Sequence, residues 1–320
     1  MENFRLRVFR TVARRLNFRA AAEELRLTQP AVTQQIKALE QQVDSALFHR
    51  TAGKITLTPA GAALLPFADQ LAALADEALE AIARANGESA GRLSIAASQT
   101  IAQYLLPHLI AGFSKLHPKV EIATHSGNTL QVLEELVARR AYVALIEGPA
   151  LRQDVHVEPF MRDRMVLLAP ATHPWAGKTI KPAQLHEASL LLREQGSGSR
   201  RVVEQALEAA GLQARDLKPR MTFNSTQALL TAVEAGLGVA FVSQWAVQAQ
   251  LALGTLAVVK LQGLALEREF SLAWVSGPMP SGIAGEFCTY VCEQGAAFDK
   301  RVRARSKSRQ TSPPAAKPLR

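Results

Sequence analysis

Residues 27 to 43 read LTQPAVTQQIKALEQQV. Val32, Ile36, Leu39 and Val43 recur at helical spacing and predict the buried stripe of an amphipathic helix. Thr28 is a good N-cap for it, and Pro30 sits in the first turn, where a missing N–H costs nothing. The opposite face then carries Gln29, Thr33, Gln34, Lys37 and Gln41, with Glu40 as its only acid. An ordinary solvated face would alternate Glu and Lys. This one offers neutral groups that donate and accept hydrogen bonds, plus a cation, which is the equipment for reading another molecule's polar edges.

A second set of residues suits a different chemistry. Ser98, Gln99 and Thr100 follow a predicted strand and open a predicted helix, where free backbone N–H groups and hydroxyls attract an anion. The segment GSGSR at 196 to 200 repeats the device, with Ser197 and Ser199 at a helix start and two glycines that permit close backbone approach; Asn224, Ser225 and Thr226 do so a third time. Each is a capping residue first. Their convergence on one cleft would make a site for a small oxyanion or carboxylate.

Other chemistries are poorly served. GSGSRRV lacks the Gly-Lys-Ser/Thr ending of a phosphate-binding loop, and it has too few glycines for a dinucleotide fingerprint. The histidines at 108, 117, 125, 156, 173 and 186 are scattered singly, with no HExxH, no nucleophile elbow and no paired acids, so catalysis is not expected. Cys288 and Cys292 are too few for a structural zinc site and read as reduced core thiols. No metal and no cofactor is expected.

The elements that would position these residues follow from composition and periodicity. At 320 residues, 48% hydrophobic and 20% charged, the chain is globular material for two or three domains. No segment reaches the roughly 18 continuous apolar residues of a membrane span, and the charged start MENFRLRVFR is unlike a signal peptide, so a cytoplasmic protein without membrane partners is expected. Residues 1 to 58 hold 10 Lys/Arg against 5 Asp/Glu, residues 59 to 299 hold 19 against 23, and residues 300 to 320 hold 8 against none. Basicity at the two ends points to a polyanion there, with double-stranded DNA as the obvious candidate.

Three helices come first: Phe4, Val8, Phe9, Val12 and Leu16 mark one, Phe18 to Leu25 the second, and the 27 to 43 stretch the third. Only Arg26 and Leu27 separate the last two, the tight connection of a helix-turn-helix. TAGKITLT at 51 to 58 reads as a hairpin or wing that places Arg50 and Lys54 to meet phosphates. From 59 to 85, Leu64, Phe67, Leu71, Leu74 and Ala78 step like a coiled-coil seam and predict a dimerising helix, ending in a hinge at 86 to 91. Beyond it strands and helices alternate in two halves, with EREFSLAWV and the helix after Pro280 returning to the first. The expected fold is thus an α-helical winged helix-turn-helix domain (1 to 58), a long linker helix (59 to 85), and an α/β domain of two Rossmann-like lobes. Lobe I takes 92 to 163 and 266 to 299, and lobe II takes 164 to 265. Residues 300 to 320 read as a disordered basic tail that adds affinity for DNA.

The stretches AAEELRLTQPAVTQQIKALE (21 to 40), LFHRTAGKITLTPAG (47 to 61) and GLGVAFVS (236 to 243) make the chain resemble the LysR-type transcriptional regulators over residues 1 to about 299. The resemblance implies a DNA-binding regulator that is a homodimer or homotetramer, with RNA polymerase as a further partner. It also implies an effector domain shaped like a periplasmic binding protein. By that likeness Gln29, Pro30, Thr33, Gln34 and Lys37 face the major groove, where Gln suits adenine N6 and N7, Lys suits guanine acceptors and the Thr methyl suits thymine. The family often has Ser and Arg where this chain has Thr33 and Gln34, which alters the bases preferred. LIEGP at 145 to 149 and LREQGSGSR at 192 to 200 resemble the sulfur-assimilation branch, which senses sulfite or related anions. A carbon-fixation regulator with a phosphorylated ligand is the alternative. A solute-binding protein would share the cleft, but it should carry a secretion signal and no DNA-reading helix.

Overall fold

The computed structural model describes residues 3–51, 54–85, 91–150, 152–212 and 221–310. These fall into two compact units, one of residues 1–91 with 138–140 and one of residues 92–137 with 141–320. Of the hinge expected at 86 to 91, residues 86 to 90 lie outside the described residues, and Gly91 opens a strand.

The first unit opens with α1 (Phe4–Arg15), α2 (Phe18–Leu25) and α3 (Gln29–Gln42). A polar side chain starts each helix: Asn3 accepts from the Arg5 N–H, Asn17 from Arg19 and Ala20, and Thr28 from Ala31. Arg26 closes α2 in the left-handed region (φ 54°), and the Leu27 N–H bonds the Ala22 carbonyl, so two residues suffice to turn the chain into the cap of α3. Val8, Phe9, Val12, Ala21, Val32 and Ile36 are fully buried together. Val43 does not complete the expected stripe: the helix stops at Gln42, and Val43 is its C-cap, 40% exposed. β1 (Phe48–Thr51) and β2 (Lys54–Leu57) form the antiparallel wing, seated by Phe48 against Phe9 and Phe18.

α4 (Pro59–Ala85) follows. Ala68 enters the core, and the buried Asp69 carboxylate accepts from Arg10 Nε and Arg14 Nη2, both at 2.8 Å, tying α4 to α1. Phe67, Leu71, Leu74, Leu79 and Ile82 stay exposed.

The second unit begins with β3 (Gly91–Ser98), α5 (Gln99–Tyr104), α6 (Leu106–Leu116), β4 (Val120–Gly127), α7 (Thr129–Val137) and β5 (Val143–Glu147). Leu105 separates α5 from α6: Pro107 has no N–H to donate to the Gln103 carbonyl, so it cannot continue α5 and instead sits in the first turn of α6. β6 (Val155–Pro170) is a 16-residue strand whose second half lies in the apolar run MVLLAPA. It runs out of the first lobe into the second. There follow β7 (Thr179–Ile180), β8 (Leu190–Arg193), α8 (Gly198–Ala209), β9 (Met221–Phe223), α9 (Thr226–Glu234), β10 (Val239–Ser243), α10 (Gln248–Leu253) and β11 (Leu256–Leu261). β12 (Leu266–Val275) then returns, and α11 (Gly282–Gln310) covers the first lobe. The strand order is β4-β3-β5-β12-β6-β10-β8-β9, with β11 paired to β6 and β7. β3 runs parallel to β5, and β8 to β9 and β10, while β12 lies antiparallel to β5 and β6, and β10 and β11 lie antiparallel to β6.

Alternate residues of the strands feed opposite layers. Leu93, Ile95 and Ala97 of β3 meet Phe113 and Phe287, whereas Ala96 joins Ala144, Ile146 and Leu133 beneath α7. α11 continues through 300 to 310, which corrects the expectation of disorder there; that stretch holds no glycine or proline and is rich in Arg and Lys. Residues 311 to 320 lie outside the described residues. Cys288 and Cys292 are free thiols, and burial pushes the Cys288 thiol up to about 12, which makes it inert.

Where the lobes meet, Arg268 of β12 is buried against two carboxylates. Its Nε donates to Asp163 Oδ2 at 2.7 Å, Nη2 pairs with Glu147 Oε2 at 2.7 Å, and Nη1 donates to Ser199 Oγ at 2.9 Å. Ser243 Oγ donates to the other oxygen of Asp163 at 2.8 Å. Two acids share one cation, and burial raises the Asp163 carboxyl above the usual carboxylate range against the pull of Arg268. Arg268→Ala would strand two buried carboxylates, and chemical denaturation should show a loss of about 3 to 5 kcal/mol.

Candidate functional site

The outer face of α3 assembles as the sequence predicts. Gln29, Pro30, Gln34 and Lys37 are exposed and Thr33 half-buried, and the five line one shallow open depression. Two of the hydroxyls are partly committed. Thr33 donates to the Gln29 carbonyl at 3.0 Å, so its methyl and remaining lone pair are what it offers, and Thr28 caps Ala31 at 3.4 Å. The one acid is withdrawn: Glu40 Oε1 accepts the backbone N–H groups of Leu47 at 2.8 Å and Phe48 at 3.4 Å. Lys54 is exposed on β2; Arg50 lies on β1, and its side chain is outside the described part. The face therefore presents amides, a methyl and an ammonium without a competing carboxylate.

In the second unit the three helix starts are brought together by a chain of hydrogen bonds. Gln99, at the start of α5, donates from Nε2 to the Asn224 carbonyl at 2.6 Å and accepts the Thr226 N–H on Oε1 at 3.2 Å. Thr226 Oγ1 accepts from Arg193 Nη1 at 2.7 Å, and the Arg193 carbonyl accepts from Arg200 Nη1 at 3.1 Å, on α8. Tyr104 adds a bond from its hydroxyl to Gln227 Oε1 at 3.0 Å, and burial raises its phenol. Sequence reasoning missed Arg193; an arginine ending the apolar run SLLLR, at the inner end of a strand, was the available signal.

The predicted residues differ in how much they leave for a ligand. Ser197 Oγ caps Arg200 at 3.4 Å, Ser225 Oγ caps Ala228 at 3.3 Å, and Ser199 Oγ already receives Arg268. Gln99 spends both ends of its amide between the lobes, and Asn224 contributes its carbonyl to the same bridge. Ser98 and Thr100 are different. Both are buried, Ser98 makes no capping bond, and its hydroxyl has no hydrogen-bond partner. The GSGSR glycines also serve a different purpose from the one expected. A Cβ on Gly198 would overlap the Glu147 carbonyl oxygen and crowd Thr129 Oγ1, which accepts the Gly198 N–H at 3.2 Å, so the close approach is between lobes and not toward a ligand.

The arginines at these positions are matched already: Arg193 with Glu194 at 2.9 Å, Arg200 with Glu204 at 2.7 Å, Arg268 with Glu147 and Asp163. A hydroxyl pair, Ser98 and Thr100, and helix N–H groups remain open. Among the described residues no group of three or more His, Cys, Asp or Glu is placed to hold a metal, and no helix is long and apolar enough to cross a membrane.

Residues 4–62 match the model of a bacterial regulatory helix-turn-helix protein, lysR family, and residues 86–295 match the LysR substrate binding domain. The chain is 34% identical over 275 residues to the HTH-type transcriptional regulator CysL of Bacillus subtilis, covering 86% of this chain and 90% of CysL. It is 33% identical over 287 residues to the RuBisCO operon transcriptional regulator of Acidithiobacillus ferrooxidans, covering 89% and 92%. A full-length OxyR from Pseudomonas aeruginosa superposes with a TM-score of 0.67 at 25% identity, covering 91% of this chain and 93% of that one.

Proposed function

Because the chain belongs to the lysR family, and so is a DNA-binding transcriptional regulator and not an enzyme, we propose that it reads promoter DNA in the cytoplasm with the outer face of α3. The observation that carries this is the acid-free row Gln29, Pro30, Thr33, Gln34 and Lys37, opposite the buried Val32, Ile36 and Leu39. Gln34 and Lys37 supply base contacts, each worth about 1 to 3 kcal/mol of discrimination. Lys54 and Arg50 supply phosphate contacts, the tail from 300 onward adds a sequence-independent cationic arm, and RNA polymerase is the further partner at the promoter.

The chain works as a homodimer or a tetramer built from it. α4 leaves Phe67, Leu71, Leu74, Leu79 and Ile82 exposed, an apolar row that a second α4 would cover.

The effector is a small oxyanion held between the lobes by Ser98, Thr100 and the nearby helix N–H groups. Arg193, Arg200 and Arg268 already face carboxylates, and the neutral donors at Ser98 and Thr100 suit a compact anion such as sulfite or a related sulfur anion. A phosphorylated metabolite is the second reading, favoured by the relative whose name refers to the RuBisCO operon. Either ligand acts only by binding one state of the regulator better than another, with a coupling of about 1 to 3 kcal/mol.

Three outcomes follow for the wild-type chain and its variants. Gln34→Ala and Lys37→Ala should each lose specific promoter binding by roughly tenfold or more in a gel-shift titration while circular dichroism stays unchanged; unaltered affinity in both removes the face from recognition. Leu71→Asp with Leu74→Asp should sediment as a monomer, and retention of the wild-type mass would place the interface elsewhere. In calorimetry with sulfite, sulfate, thiosulfate and a sugar phosphate, Thr100→Val and Ser98→Ala should weaken whichever ligand binds by roughly fivefold or more, about one hydrogen bond. A ligand bound as tightly by both variants does not use this cleft.

A further inference from the structure

Glu40 is the single acid on the recognition helix proper, and its carboxylate meets the two backbone N–H groups through which the chain enters the wing, Leu47 at 2.8 Å and Phe48 at 3.4 Å. The same segment is held from its other side. Thr58 Oγ1 donates to the Ala46 carbonyl at 2.6 Å, and the Thr58 N–H donates to the Leu47 carbonyl at 3.0 Å. Gly61, whose N–H donates to Thr58 Oγ1 at 3.0 Å, lies so near that a Cβ there would overlap the Leu47 carbonyl. The root of β1 is therefore clamped between the last turn of α3 and the first turn of α4. Leu47 and Phe48 are also buried in the core, with Phe48 against Phe9 and Phe18, so apolar packing seats the hairpin while the polar clamp sets its direction.

We propose that Glu40 is a positioning residue for DNA binding: it fixes the angle between wing and recognition helix so that Lys54 reaches a phosphate while Gln34 and Lys37 reach bases. The charge of Glu40 argues in the opposite sense. An acid beside a polyanion repels it, so on charge alone its removal should tighten binding at every sequence. A positioning role predicts instead that the wing's contribution disappears. The inference rests on α3 as the reading helix, which Gln34→Ala tests by itself.

The discriminating comparison uses variants of equal charge. Glu40→Gln and Glu40→Ala both remove the carboxylate, but only the amide keeps an oxygen able to accept the two N–H groups. Full-length protein is titrated against a short duplex that the wild-type chain has enriched from a random-sequence pool, over a range of salt concentrations, with and without Lys54→Ala. In the wild-type and Glu40→Gln backgrounds, Lys54→Ala should weaken binding roughly threefold to tenfold and flatten the slope of log affinity against log salt by about 1. In the Glu40→Ala background the same change should cost less than about twofold and leave the slope alone. Glu40→Leu, which keeps the bulk and lacks the acceptor, replaces Glu40→Ala if the latter does not fold. Equal effects of Lys54→Ala in the wild-type and acceptor-free backgrounds overturn the proposal, as does a Lys54→Ala variant without effect in the wild-type chain. A Gln34→Ala variant that binds the enriched duplex normally defeats the reading of the face instead, a result distinguishable from either.

Discussion

A carboxylate or guanidinium taken out of water costs several kcal/mol unless an opposite charge or several N–H groups meet it, and both units are arranged around that requirement. In the second unit Arg268 must be answered where the strands cross, and Glu147 of β5, Asp163 of β6 and Ser199 of α8 answer it together. That one cluster fixes the middle of the sheet and the start of the helix that faces the cleft. In the first unit Asp69 of α4 is buried against Arg10 and Arg14 of α1, which sets the long helix against the helical bundle.

What the matching leaves unmatched is what the protein has to offer. On α3, Glu40 is taken up by the root of the wing, and the outward row keeps Lys37 and the amides. In the cleft, Arg193 and Arg200 are neutralised by Glu194 and Glu204, and the Ser98 hydroxyl remains. One surface is thus suited to a polyanion with readable edges, and the other keeps an unpartnered hydroxyl at a helix start. The lobes are also joined by neutral bonds, Gln99 to Asn224 and Thr226, Tyr104 to Gln227, and Gly198 to Thr129. Each is worth about 1 kcal/mol net, a strength compatible with opening to admit a ligand.

Much of this was legible in the chain because it depends on local pattern. Period and caps gave α1, α2 and α3, and the leftover strand EREFSLAWV indicated a return to the first lobe. Pairing across long sequence separation was not legible. Nothing in GSGSR says that Ser199 will meet an arginine 69 residues on, or that Gly198 is needed for the Glu147 carbonyl, since both follow from how β12 lies beside β5 and β6. The full length of β6 was hidden for a related reason. Its first half, HVEPFMRD, lacks the continuous apolar run of MVLLAPA: Asp163 takes a buried position, and a register shift against β12 leaves Phe160 and Met161 buried in succession.

The central claim is that the acid-free side of α3, with the wing beside it, is the surface that meets DNA. Hydrogen exchange of the full-length protein, with and without the enriched duplex, tests it most directly. Slowed exchange confined to residues 29 to 57 is the predicted result, whereas protection centred on α1 or on the second unit, with α3 unchanged, would contradict it.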